Sequence, residues 1–376
     1  MSLIDDNTLT YRIALSMAPG MNITTGRHML EAVGDVTEFF KMDEREFINR
    51  FHVSTKIAND DYRLGLLERA RQEVQFISRK SIIPLWMEDD EYPTRLKVCD
   101  DAPMMLYTYG NANLDSRYMV AIVGTRNATA YGTEMVARLV RDLAQEYGRD
   151  VVIVSGLAYG IDIAAHKAAL KCDIPTIAVT AHPLNTVYPA EHRSTAASII
   201  NAGGALVTEY TTSQSIHKGN FIARNRIIAA LCDATIVVES DTKGGAMITA
   251  RIASEYNREV FAVPGRINDR YSRGTNHLIA TNRAALITNA EDLIQAMNWP
   301  KRPKQPKQQT LNLQLSPEQS RVYNYIKDHP DCMTNEIIIR LAISYSELSS
   351  ILFQLEMADI IKTLPGNRYM IIQTDY

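Results

Sequence analysis

Between residues 115 and 297, short and wholly apolar β-rich runs alternate with helical stretches, which predicts an α/β protein on a Rossmann-like, mostly parallel sheet. Two further patterns complete the expected architecture. Apolar residues at helical spacing up to about residue 80 predict a small N-terminal helical domain. Three short helices followed by a β-ribbon predict a C-terminal winged-helix domain. The expected division is 1–80 helical, 81–298 Rossmann-like, 299–315 linker and 316–376 winged helix.

In chain order, Met29, Val33, Val36, Phe39 and Phe40 carry the helical period of the first domain, broken at Pro19-Gly20 and at Val33-Gly34-Asp35. These breaks give it a SAM/helix-hairpin-helix-like pattern, read here as an acidic cap without DNA contact. Residues 81–114, with Pro84, Pro93 and Pro103, read as extended connections. The expected strands are Val120–Val123, Val151–Val154, Thr176–Val179, Ala205–Thr208, Ile236–Val238 and Glu259–Val263, each apolar enough for burial on both faces. From Trp299 to Thr310 three prolines and four basic residues make a semi-extended linker. Helices then start near Pro317, Thr334 and Tyr345, and strands at Ile360–Leu364 and Tyr369–Ile372 flank Pro365-Gly366-Asn367.

At 376 residues, 46% hydrophobic and 22% charged, the chain has the balance of a soluble globular protein. Cys99, Cys172, Cys232 and Cys332 form no CxxC pair, so neither a zinc site nor a disulfide framework is expected. No apolar run has the length of a signal or a membrane span, and the expected location is the cytoplasm. A net charge of −3 excludes a protein that coats nucleic acid through a general positive field. The charge is uneven, at −5 over 1–114, +1 over 115–297, +4 over 298–315 and −3 over 316–376. Any polyanion site must therefore be a local patch.

Open parallel sheets bind ligands beyond the carboxyl ends of their strands, so the residues that follow each strand matter most. Gly124-Thr125-Arg126, Ser155-Gly156 and Lys243-Gly244-Gly245 each join a strand to a helix through glycine. Such turns bring backbone N–H groups and a helix start to an anion. They match neither GxGxxG nor the Walker spacing, which leaves dinucleotide and nucleoside triphosphate cofactors without support. Arg126 suits a phosphodiester, because its planar fork donates bidentately and keeps its charge.

Segment 217–226 is the densest basic-aromatic cluster. Lys218 can meet a phosphate and Phe221 can stack on a base, with Arg224, Asn225 and Arg226 following. Two residues apart on a helix, Arg224 and Arg226 point different ways; one is expected to face the crevice and the other to pair with Glu209 or Glu239. The alternative buries Phe221 in the core and makes both arginines structural. Asp162 and His166, four apart on one helix face, are too few for a closed metal site and read as a cap and a hydrogen-bonded histidine. Glu209 and Glu239 read either as a hydrolytic carboxylate pair or as buried partners for arginine. In the C-terminal domain, Tyr345–Met357 holds Glu347 and Glu356 and no Lys or Arg, which disfavours reading of duplex DNA and favours protein contact.

Several motifs in order resemble the DNA-processing protein A family (DprA, also called Smf). They are AIVGTR (121–126), SGLAYGIDIAAHKAAL (155–170), LNTVYPAEH (184–192), GGALVTEY (203–210), FIARNRIIAAL (221–231), KGGAMITARIASE (243–255) and REVFAVPG (258–265). The resemblance implies a non-enzymatic protein that binds single-stranded DNA, forms a homodimer and helps load the RecA recombinase during natural transformation, with no cofactor. By position, Arg126 matches the family's phosphate-binding arginine, and Lys218 and Phe221 its basic and stacking positions. Gly245 departs from a usual serine, and Ala190 from a common basic residue. The competing reading is a nucleotide-processing hydrolase like the cytokinin-activating phosphoribohydrolases. Their Pro-Gly-Gly-x-Gly-Thr-x-x-Glu element is replaced here by Thr242–Ala250, which lacks the catalytic glutamate.

Overall fold

A computed structural model describes residues 6–51, 55–301, 315–329, 332–358, 360–364 and 367–371. The chain divides into two compact units, Met1–Arg302 and Pro303–Tyr376. Most of the expected linker, 302–314, and the hairpin residues Pro365 and Gly366 lie outside the described residues.

The first unit is organised by strands β1 (Ile83–Trp86), β2 (Met105–Gly110), β3 (Tyr118–Val123), β4 (Val151–Ser155), β5 (Thr176–Val179), β6 (Ala205–Thr208), β7 (Ala234–Val237), β8 (Glu259–Ala262) and β9 (Ala285–Leu286). Among the described residues they make one nine-stranded sheet, ordered β1-β2-β6-β5-β4-β3-β7-β8-β9. From β6 to β9 all pairs are parallel, while β1 and β2 add antiparallel at one edge. Segment 81–114 is thus not a set of connections, as the sequence led us to expect. Its three prolines hide two strands, and Pro84 is tolerated because β1 is the sheet edge, where a missing N–H leaves no ladder bond unmade. Strand β7 runs from Ala234 rather than Ile236, and β9, inside the short apolar run 284–287, was not among the expected strands.

Burial on both sheet faces follows from side-chain alternation. In β3, Met119, Ala121 and Val123 enter one hydrophobic core, and Tyr118, Val120 and Ile122 enter another. The second core packs helix Ala130–Tyr147 through Val136, Leu139, Val140 and Leu143. The first runs on without a break into the N-terminal helices, through Ile13, Phe39, Phe47, Leu66 and Ala70. Gly34, at φ +82°, ends helix Ile23–Val33, and the Asp35 carboxylate then caps Val36–Lys41 by accepting from Thr37 N.

The second unit holds helices Pro317–Asp328, Thr334–Leu341 and Tyr345–Met357 and strands Cys332–Met333, Ile361–Leu364 and Arg368–Ile371. Ser316 and Gln319 form a capping box at its start, with Pro317 in the first turn. Its own core includes Val322, Ile326, Ile337, Leu348, Leu352 and Ile361. No helix among the described residues is long and apolar enough to cross a membrane.

Candidate functional site

Connections from β3 run outward through β4, β5 and β6 on one side, and from β7 through β8 and β9 on the other. The switch between β3 and β7 opens a crevice beyond their carboxyl ends, where the helices above the two half-sheets part. Its volume is about 640 Å³. The turn after β3 docks on the turn after β7, because Thr125 N donates to Glu239 O at 2.6 Å. Gly124 is required there, since a Cβ would collide with Ile161 and with the Glu239 carbonyl.

Of the expected site residues, Gly124, Thr125, Arg126, Lys218, Phe221, Arg224, Asn225, Lys243, Gly244 and Gly245 all line this one crevice. Arg126 and Lys218 are exposed, on the β3 turn and at the first residue of helix Lys218–Leu231. Neither they nor Lys243 form an ion pair with any described residue, so three uncommitted cations meet the crevice. Phe221 is half-buried rather than in the core, which removes the bland alternative for it. Its ring lies 5.5 Å below the Arg126 guanidinium and 5.7 Å from Tyr188, edge to face. Arginine and two rings thus build a flat-walled cationic slot suited to a base beside its phosphate.

Four expected residues are corrected, Ser155, Gly156, Arg226 and Arg224. Ser155 is fully buried, donating from Oγ to Ile122 O at 2.7 Å. Gly156 lies beneath the crevice, where the Arg224 guanidinium occupies the place its Cβ would take. Arg226 turns away, because two helical residues rotate the chain by roughly 200°. It binds Glu209 through two bonds of 3.1 and 2.6 Å.

Arg224 itself is only 4% exposed and grips two carbonyls, Gly156 O at 2.6 Å and Val179 O. Burial lowers its proton affinity, and the nearby Asp162 charge opposes that shift. Asp162 is also buried, and desolvation raises its pKa against the pull of Arg224 and of backbone donors at Ala158 and Gly156. His166 Nδ1 is hydrogen-bonded to Thr176 Oγ1 at 2.8 Å, and burial pushes its pKa down to about 3. His166 is thus the hydrogen-bonded histidine the sequence implied, whereas Asp162 is not the expected cap: it lies inside helix Ile161–Lys171, whose N-cap is Gly160 without a side-chain bond. Glu239 accepts from Thr129 N at 2.9 Å and Thr129 Oγ1 at 2.5 Å, so it anchors helix Ala130–Tyr147. Glu209 and Glu239 thus have separate partners and make no pair. Among the described residues no His, Cys, Asp and Glu cluster can hold a metal ion.

Sequence reasoning missed Asn127, Tyr188, Arg270 and Tyr271, which also line the crevice. Tyr188 stood within a motif already noted. Arg270 and Tyr271 lie several residues beyond β8, too far for a rule that looks only at the first residues after a strand.

Residues 84–298 match the family model described as DNA recombination-mediator protein A, and 302–367 match a DprA winged helix domain. A putative DNA processing protein DprA of Mycobacterium tuberculosis is 36% identical over 261 residues, 66% of each chain. Protein Smf of Escherichia coli is 38% identical over 247 residues, 62% of this chain and 65% of that one. The matched segment thus spans just under two thirds of these relatives. Among solved structures, DNA processing protein A of Streptococcus pneumoniae superposes with a TM-score of 0.63 at 31% identity, covering 77% of this chain and 97% of that one. DNA processing protein A of Helicobacter pylori, described for its single-stranded DNA binding mode, gives 0.52 at 34% identity over 59% and 97% of the two chains.

Proposed function

The chain belongs to the DNA recombination-mediator protein A family, and on that premise we propose that it binds single-stranded DNA along the β3–β7 crevice without altering it chemically. The observation that carries this reading is the convergence of Arg126, Lys218 and Lys243, free of ion pairs with described residues, around the half-buried ring of Phe221. Arg126 and Lys218 meet phosphates, the glycine turn at Lys243–Gly245 offers backbone N–H groups, and Phe221 with Tyr188 stacks a base. Every base has a π-face, so the slot takes any sequence. We extend this reading to a cytoplasmic homodimer that passes its strand to the RecA recombinase, as the family resemblance implies. A hydrolytic reading lacks support, because Glu239 is engaged with Thr129.

The test is a gel shift of single-stranded and duplex DNA of equal length against wild type and the Arg126→Ala/Lys218→Ala double variant. The wild type prefers the single strand, and the double variant loses at least tenfold in affinity, about 1.4 kcal/mol. Unchanged affinity in the double variant sinks the reading.

A further inference from the structure

The loop after β8 contributes Arg270 and Tyr271 to the crevice lining. We propose that Arg270 is a second phosphate-binding arginine whose charge is held in reserve by Asp241 and transferred to the DNA backbone when a strand enters. The inference rests on the crevice being the single-strand site.

Arg270 Nε donates to Asp241 Oδ2 at 2.8 Å, and the guanidinium lies 5.7 Å from the Tyr271 ring. Its side chain is 71% exposed, and its terminal nitrogens bond to no described residue. A pair so exposed contributes little to folding. The loop does not depend on it either. Ser240 N donates to Tyr271 O at 2.6 Å, Gly274 N to Ser240 O at 2.8 Å, and Asn127 Nδ2 to Tyr271 Oη at 3.0 Å. These bonds fasten the loop to both the β7 and the β3 turns. Asp241 is also held from the other side, accepting from Thr242 N at 2.7 Å.

Asp241 is the acidic side chain on the open rim of an otherwise cationic crevice, since Asp162 is buried. A carboxylate there repels phosphate unless it is neutralised. With Asp241 held by one Arg270 nitrogen, the remaining donors of the fork face the space a backbone would cross. A phosphate that draws the whole fork toward itself breaks the Nε bond to Asp241 and exchanges one anion for another at the same arginine. Asp241 then competes with DNA for Arg270, which sets how tightly the free protein holds a strand.

The competition has a signature that a merely structural pair lacks: removing the acid strengthens binding. Affinity for oligothymidine is measured by fluorescence anisotropy over a salt series for Arg270→Ala, Asp241→Asn, their double variant and the reference Arg126→Ala. Arg270→Ala weakens binding up to about fivefold and lowers the salt slope by about 0.7, the loss of one phosphate contact. Asp241→Asn, which keeps an acceptor for Thr242 N, tightens binding, and the gain is smaller in the Arg270→Ala background, where only relief of the repulsion remains. Equal weakening by both single changes with an unaltered slope overturns the proposal and leaves the pair structural. Loss of binding in Arg126→Ala but not in Arg270→Ala also overturns it, while the crevice reading stands. Wild-type affinity in Arg126→Ala removes the crevice reading itself.

Discussion

Two arginines two residues apart on one helix point opposite ways, and both serve the fold. Arg226 is tied to Glu209 and holds elements together, whereas Arg224 lies under the crevice and fixes the carbonyls of Gly156 and Val179. Removing Arg224 takes the nearby counter-charge from the buried Asp162 and the guanidinium donor from both carbonyls. Arg224→Ala is therefore expected to cost about 3–5 kcal/mol of stability, measured by denaturant unfolding. Arg224→Lys does not restore it, because a point charge cannot serve both carbonyls and Asp162 in the same fork geometry. Recovery of stability by lysine would contradict the role given to the guanidinium. At this scale the sequence told that the arginines diverge, but not which of them faced inward: helical phase gives relative direction only. Gly245 shows the same limit. It stands in place of a usual serine, and no atom lies within 4 Å of where its Cβ would be, a freedom that only coordinates reveal.

Among the elements, the long helix Asp60–Lys80 has a consequence for the site some distance from it. Its Glu73 is 3% exposed and accepts from Thr212 N at 2.8 Å and from Thr212 Oγ1, in the loop that leads to Lys218. Asn220 extends this order, donating to Ala181 O and Ser215 O at 3.3 and 3.2 Å. The N-terminal helices thus hold in place the start of the helix that presents Lys218 and Phe221. Glu73→Ala is expected to speed amide hydrogen exchange across residues 211–217, while Glu73→Gln, which keeps an acceptor, changes it less. Unaltered exchange in the alanine variant would sever that connection. The same helix illustrates how element legibility varies. Strands β5 and β6 and the starts of the three C-terminal helices were readable, because apolar runs and caps are local signals. Strands β1 and β2 were not, because the pairing of β2 with β6 is a long-range fact, and Pro84 within β1 and Pro103 before β2 spoke against them locally.

At the scale of the whole molecule, an acidic chain brings three cations without ion pairs to described residues, Arg126, Lys218 and Lys243, to one topological feature. Sheet order brings the turn after β3 beside the turn after β7, although more than a hundred residues separate them. Local charge counts gave the middle segment a balance near neutrality, and only the reversal of strand order converts that balance into a patch. Counterion release from a bound strand then makes affinity fall steeply with salt, despite the negative total. The most direct test of this placement is photocrosslinking of a 5-iodouracil oligonucleotide to the wild-type protein, with adducts mapped by mass spectrometry. Adducts at Phe221, Tyr188 or Tyr271 are the predicted result. Adducts confined to residues 6–80 or 315–371 would contradict it.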